Sequence, residues 1–209
     1  MREESAAPRP GSGQAADDDL MRRTAAGDRE AFAAVYQRHH ALVFRFARLM
    51  IGSTEAAEDV VQEVFLGLMR SAARYDPARS TLTTYLYGAA RHQVRRRLLR
   101  DRLFVSIDET ASDLCGSNAV ATTADELSRQ RDLRDLRRAI LALPPRYREV
   151  VVLCDLQDVS YADAAQAIGC VVGTVRSRLH RARQLLTQKM QRARACEMTP
   201  ARPTVRCEV

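Results

Sequence analysis

Between Arg176 and Arg183, four arginines, one serine and one histidine crowd eight consecutive positions, and from Ala164 to Cys196 there are seven Lys or Arg and no acidic residue. Guanidinium groups donate to base edges and neutralise phosphates. A block of one sign marks a polyanion ligand, whereas a merely solvated helix face mixes signs. The residues that must position these groups read as two short helices. Ser160, with Asp163 three residues on, has the form of a capping box. Tyr161, Ala164, Ala165 and Ile168 then recur at helical spacing on one apolar face, and Gly169 stands where a left-handed stop is needed. Thr174 is expected to open the second helix. Its Val175, Leu179, Ala182 and Leu186 face a core, and Arg176, Ser177, His180, Arg181 and Gln184 take the other side. A helix, a glycine turn and a basic second helix suit insertion into a DNA major groove.

Arginines gather a second time at 91, 95, 96, 97, 100 and 102, with only Asp101 opposing them. Val94, Leu98 and Leu99 give that helix a narrow apolar side. Such density fits phosphate contacts, which are salt-sensitive and blind to sequence. Just upstream, Asp76-Pro77 ends one helix and Ser80 or Thr81 can cap the next, so 75–82 reads as an interhelical loop. A third group lies on helix 54–70. Val60, Val61, Val64, Phe65 and Leu68 form a buried stripe, while Glu55, Glu58, Asp59, Gln62 and Glu63 are polar. No histidine or phosphate-cradling glycine loop accompanies these carboxylates, so no catalytic site is assigned; acids early in a helix commonly just oppose its dipole.

Composition sets the frame. The chain has 209 residues, a formal net charge of +7 and five cysteines, and a pI near 9.6. That length holds one large domain or two small ones, and the charge favours an anionic partner. A membrane surface is the competing anion, but no apolar run approaches the ~18–20 residues of a span, and the N-terminus lacks a signal-peptide core. A cytoplasmic protein without direct membrane insertion is expected. Cys115, Cys154, Cys170, Cys196 and Cys207 form no CxxC pair, and none is spaced with a histidine as in a zinc finger, so neither metal nor cofactor is expected. Cys154 and Cys170 sit among apolar neighbours and read as core residues.

Along the chain, 1–17 reads as a disordered leader, with Gly, Ser and Ala and two prolines. Residues 18–102 form a helical block. Residues 103–127 lose helical periodicity and read as an acidic, flexible linker. Residues 128–190 are helical again, with Pro144-Pro145 fitting the first turn of a new helix, and 191–209 form a short tail. Strand alternation does not stand out. The expected fold class is all-α, two separate helical domains joined by a flexible linker, the C-terminal one a helix-turn-helix.

Two strings carry a family resemblance. LPPRYREVVVLCDLQDVSYADAAQAIGCVVGTVRSRLHRAR (143–183) is similar to the promoter-reading C-terminal domain of extracytoplasmic-function (group 4) sigma factors of bacterial RNA polymerase, in the sigma-70 family. AEDVVQEVFLGLMR (57–70) resembles the stretch with which such factors dock on the clamp coiled coil of the polymerase's largest subunit. The resemblance spans roughly 18–190. It implies region 4 over 128–190, reading the −35 element through Thr174, Arg176, Ser177, Arg178, His180, Arg181 and Arg183. It implies region 2 over 18–102, with polymerase docking through Asp59, Gln62, Glu63 and Phe65. The loop and following helix would capture the separated −10 strand and hold a flipped base, through Tyr75, Arg79, Ser80, Thr84, Tyr85, His92, Arg95 and Arg96. Three positions depart from the pattern. Val171 replaces a frequent proline, which should loosen the turn without moving the helix; Tyr85 replaces tryptophan and His92 replaces asparagine, which bears on base preference. The implied partners are core polymerase (the clamp and the flap of the second-largest subunit), promoter DNA and an anti-sigma factor, and the chain itself catalyses no reaction.

Two readings follow: a dissociable specificity subunit, or a DNA-binding regulator or decoy that never engages polymerase productively. A simple repressor has no use for a docking helix and a strand-capture loop upstream of its helix-turn-helix. The pairing of 55–70 with 75–102 favours the first reading.

Overall fold

The computed structural model describes residues 12–104 and 124–197, and every regular element among them is helical. Local chemistry sets most of the boundaries. Helix α1 (Ser12–Ala25) leads through a turn at Gly27 into α2 (Arg29–Ile51). Asp28 caps α2, its carboxylate accepting from the amides of Glu30 and Ala31 at 2.9 and 3.1 Å. Gly52 ends it at φ 94°, where a side chain would be strained, and returns its N–H to the Arg48 carbonyl. Ser53 caps α3 (Thr54–Ser71), accepting from the Ala56 amide at 3.2 Å. A short 3-10 turn, Ala72–Arg74, precedes the loop, and Thr81 opens α4 (Leu82–Phe104) by accepting from the Thr84 amide at 3.1 Å.

The second group comprises α5 (Ala124–Leu141), α6 (Pro145–Cys154), α7 (Tyr161–Ile168) and α8 (Val172–Glu197). Pro144 and Pro145 sit at the cap and first position of α6, where a missing N–H costs nothing. Ser160 accepts from the Asp163 amide at 3.1 Å to open α7, and Gly169 closes it at φ 73°. The expected capping box and left-handed stop are both present.

Several expected boundaries shift. Residues 12–17, read as part of a disordered leader, are helical, and Asp17 is buried: its carboxylate accepts from Arg38 at 2.5 Å and lies 3.0 Å from His39 Nε2. That cluster staples α1 to α2, and the sequence signal was hidden by the small residues around it. α8 begins at Val172, two residues before the expected Thr174, because the Val171 carbonyl already accepts from the Thr174 amide at 2.9 Å. α8 also runs to Glu197, into the expected tail, and α5 starts at Ala124, inside the expected linker. The rest of the leader, linker and tail (1–11, 105–123, 198–209) lie outside the described residues, as do Cys115 and Cys207.

The core joins both groups. Buried Val35, Val43, Phe46 and Met50 of α2, the α3 stripe, and Leu82, Leu86, Tyr87, Ala90 and Val94 of α4 form one cluster with Val150–Leu153 of α6, Ala164, Ala165 and Ile168 of α7, and Val175, Leu179 and Ala182 of α8. Each fully buried aliphatic side chain contributes roughly 1.5–3 kcal/mol. Helix α6 shows six consecutive buried residues, Arg148 to Leu153, because it is sandwiched between α2 on one side and α7 and α8 on the other. The two groups, expected as separate bundles, therefore pack on one another, with α4 against α7 and α2 against α5 and α6. Leu99 and Tyr161, expected on apolar faces, are 60% and 38% exposed.

Candidate nucleic-acid interface

The C-terminal end of the site is the outer face of α8. With Val175, Leu179 and Ala182 inward and ~100° per residue, Gly173, Ser177, His180 and Gln184 point opposite to the core. Arg176 and Arg181 flank that line, and Arg178 and Arg183 fall nearer the core edges. Arg176, Ser177, His180, Arg181 and Arg183 are exposed; Thr174 and Arg178 are half-buried. Ser177 donates to the Thr174 carbonyl at 3.1 Å. Arg181 donates to the Gln184 side-chain oxygen at 3.1 Å, and the Gln184 amide lies 3.0 Å from His180 Nε2. Arg183 is held by Asp155 through two contacts, at 2.5 and 3.1 Å. The face thus offers Arg176, Ser177 and a His180–Gln184–Arg181 chain of donors, with Arg183 anchored at the rim.

The second part lies on the loop and α4. Tyr75 donates its hydroxyl to Asp18 at 3.1 Å and to the Ser80 carbonyl at 3.2 Å, and burial together with Asp18 pushes its pKa well up. Its ring meets that of half-buried Tyr85 edge-on, centroids 5.8 Å apart. Asp76 turns the loop by accepting from the Ala78 amide at 3.0 Å and pairs with Arg79 at 3.3 Å. Beside Tyr75 and Pro77 opens a cavity of about 340 Å³ that Asp18, Met21 and Arg22 of α1 also line. Tyr85, His92 and Arg96 share one face of α4, with exposed Arg95 beside them. Thr84 does not join them. It is buried, bonded to Thr81 at 2.9 Å and to Asp163 of α7 at 3.3 Å, because one helical step from Tyr85 turns it into the α4–α7 contact.

The third part is α3. Asp59, Gln62 and Glu63 are exposed, and Asp59 accepts from Arg97 at 2.6 Å. Phe65 is different: at 3% exposure it belongs to the core, edge-on to Phe32 and Tyr36 at 6.5 and 4.8 Å. It forms the floor of a groove of about 690 Å³ whose walls include Tyr36, His40, Phe44, Gln62 and Leu66. Among the described residues no cluster of His, Cys, Asp or Glu could hold a metal ion, and no helix is long and apolar enough to cross a membrane. Cys154 and Cys170 are half-buried against the core, and burial pushes the Cys154 thiol up to about 11.

Sequence reading alone missed the residues that tie the two groups together. Arg91 donates to Glu149 at 3.1 Å, Tyr87 to Gln157 at 2.8 Å, and Gln166 to the Arg79 carbonyl. Arg148, buried, donates to the carbonyls of Met50, Leu141 and Leu143, the last at 3.0 Å, and so places a cation at the negative ends of α2 and α5. No local signal marks such contacts, since each residue alone reads as a polar surface group.

Comparison with known proteins gives this arrangement its context. The family model for Sigma-70 region 2 matches residues 35–103, and that for Sigma-70, region 4 matches residues 133–186. The chain is 33% identical over 180 residues to the ECF RNA polymerase sigma factor SigM of Mycobacterium tuberculosis, covering 85% of this chain and 86% of that one. It is 31% identical over 182 residues to the ECF RNA polymerase sigma factor SigD of Mycobacterium bovis, covering 83% of each. Its fold is similar to that of CnrH in complex with the cytosolic domain of CnrY, with a TM-score of 0.64 at 22% identity, covering 85% of this chain and 98% of that one. It is also similar to that of the sigma factor RpoE in complex with the anti-sigma factor NepR from Bartonella quintana, with a TM-score of 0.63 at 24% identity, covering 77% and 96%. With both family models matched and relatives of 31–33% identity aligned over most of its length, the chain belongs to the extracytoplasmic-function sigma factors of bacterial RNA polymerase.

Proposed function

We propose that the three faces act in one initiation cycle. Exposed Asp59, Gln62 and Glu63 on α3 dock on the clamp of the largest subunit of core polymerase, beside the groove floored by Phe65. Charge there sets register and association rate more than affinity. The α5–α8 group engages the flap of the second-largest subunit and lays α8 in the −35 major groove. The loop and the Tyr85–His92–Arg96 face take the non-template −10 strand. Unstacking costs a few kcal/mol per step, which aromatic stacking at ~1–3 kcal/mol per base can offset, and the cavity beside Tyr75 and Pro77 is where a flipped base fits. The chain works in the cytoplasm, catalyses no reaction itself, and is held in check by an anti-sigma partner, a reading supported by the similar structure of the sigma factor RpoE in complex with the anti-sigma factor NepR.

The observation that carries this reading is the coexistence of the α3 polar face with the aromatic and arginine face of α4, which a simple DNA-binding regulator does not need. Deleting Ala78 and Arg79 tests it, because the deletion shortens the loop and leaves α3 and α8 intact. Core binding and closed-complex formation should stay near normal. Permanganate reactivity of −10 thymines and run-off product should vanish on duplex DNA yet persist on a pre-melted bubble. Normal melting and transcription on linear duplex would place strand capture elsewhere.

A further inference from the structure

A separate hollow opens between α2 and α5, away from the three faces assigned above. Its volume is about 650 Å³, within the ~300–1,000 Å³ of sites that take small ligands. Helix α2 lines it with residues at helical spacing, from His40 and Ala41 to Arg48 and Leu49, and α5 faces them with Arg137, Ile140 and Leu141. Thr54, at the start of α3, closes one end. The floor is apolar: Phe44, Leu49 and Leu141 are half-buried and Ile140 is buried.

The rim is cationic. Arg45 and Arg137 are exposed and make no hydrogen bond or ion pair among the described residues, while Arg48 donates to the Thr54 hydroxyl at 3.0 Å. Among the described residues that line the hollow there is no carboxylate, in a chain with 26 acidic residues. Glu58 belongs to the neighbouring groove over Phe65, which shares His40 and Phe44 with this one. Cations near helix C-termini commonly just oppose the dipole. Here Arg148 already meets that need by holding the carbonyls of Met50 and Leu141. Arg45 stands six residues before the end of α2, outside the last turn in which the dipole acts.

The lining also restricts the body of a ligand. Nucleosides and sugars carry donors that need acceptors, and only His40 and Thr54 could offer them from side chains here. The Thr54 oxygen already accepts from Arg48, and His40 is stacked on Tyr36 with centroids 5.2 Å apart. An apolar floor under guanidinium donors fits a hydrocarbon body that ends in an oxyanion, which a guanidinium fork can hold through two parallel bonds.

We propose that the hollow between α2 and α5 is a binding site for a small amphipathic anion, an acyl carboxylate whose head pairs with the Arg45, Arg48 and Arg137 rim and whose tail lies on Phe44, Leu49, Ile140 and Leu141. The site borrows no residue from the polymerase or DNA faces. A ligand that touches both walls stabilises the folded chain by mass action.

Octanoate is the probe, titrated into the full chain and followed by the methyl NMR shifts of Ile140 and Leu141 and by thermal melting. Butyrate and 1-octanol control for tail and charge. Octanoate should shift those methyl groups and raise the melting temperature. Each methylene laid on the floor is worth about four-fold in affinity, so butyrate should bind on the order of 200-fold more weakly. Arg45→Gln with Arg137→Gln should weaken octanoate by about 10- to 150-fold, the worth of a hydrogen bond to a charged group, and leave 1-octanol unaffected. Ala41→Phe, at an exposed position of α2, fills the hollow and should abolish binding, with the circular dichroism spectrum and −35 affinity of the parent retained. Absence of octanoate binding to the parent, equal affinity for 1-octanol, or full affinity in either variant overturns the proposal. If octanoate leaves the Ile140 methyl groups unmoved while an acidic amphipathic peptide shifts them, the hollow takes a protein helix and the small-anion assignment is overturned.

Discussion

Replacing Arg176 with alanine removes the guanidinium best placed to read a base. It lies four residues into α8, about 6 Å from the helix start, at the end that enters a major groove roughly 8.5 Å deep. It is exposed and makes no hydrogen bond or ion pair among the described residues, so nothing in the protein competes for it. Loss of a bidentate base contact costs ~1–3 kcal/mol, or about 5- to 150-fold, and the loss falls on one base position. Arg183 makes the internal control. It lies about 10 Å further along α8 and is held at 2.5 Å by Asp155. Arg183→Ala should weaken binding evenly across sequences, by less than about 5-fold, and lower the salt slope by about one. The assay is anisotropy on −35 duplexes carrying every single-base change, at two salt concentrations. Uniform loss with Arg176→Ala, or position-specific loss with Arg183→Ala, would refute the assignment of reading and anchoring roles along this helix.

Three other outcomes follow from named contacts. Phe65→Ala should lower thermal stability by about 3–5 kcal/mol, since it empties a core site between Phe32 and Tyr36; Phe65→Leu should keep core binding, and its loss there, with a normal melt, would make Phe65 a direct contact. Asp59→Ala with Glu63→Ala should weaken pull-down of core polymerase with an unchanged circular dichroism spectrum and unchanged −35 binding; normal core binding would reduce these acids to surface decoration. Burial raises the Cys154 thiol to about 11, so at pH 8 only about one molecule in a thousand carries the thiolate and alkylation should be slow, speeding up as pH rises toward that value; rapid labelling at pH 8 by peptide mass spectrometry would contradict the packing around it.

What the sequence made legible was local. Ser160 and Asp163, Gly169, and Pro144-Pro145 each declare a helix end through chemistry contained within a few residues, and all three ends are found there. The α3 stripe was readable from periodicity alone, and so was the outward face of α8. What stayed hidden depends on partners distant in sequence. Thr84 looked like a strand contact because its spacing from Tyr85 says nothing about which neighbour covers it, and it is covered by Asp163, 79 residues away. Glu149 and Arg148 sit in the same hydrophilic-looking stretch, yet both are buried, one against Arg91 and one against three carbonyl oxygens. Phe65 could be assigned to the core by periodicity and to docking by resemblance; its burial places it in the core, under a groove whose rim holds Gln62. The start of α1 escaped notice because Ser, Gly and Ala carry little amphipathic signal, whereas buried Asp17 supplies the tie through Arg38 and His39.

The most direct test of the whole account is transcription itself. Core polymerase reconstituted with the full chain is given a library of genomic fragments, and the run-off products are sequenced. Enriched templates should share two elements at −35 and −10 with a fixed spacing, and core polymerase without the chain should give no such enrichment. Product no greater than that of core alone, or enrichment of a single −35-like element without a −10 partner, would contradict the account and leave a DNA-binding protein that does not open promoters.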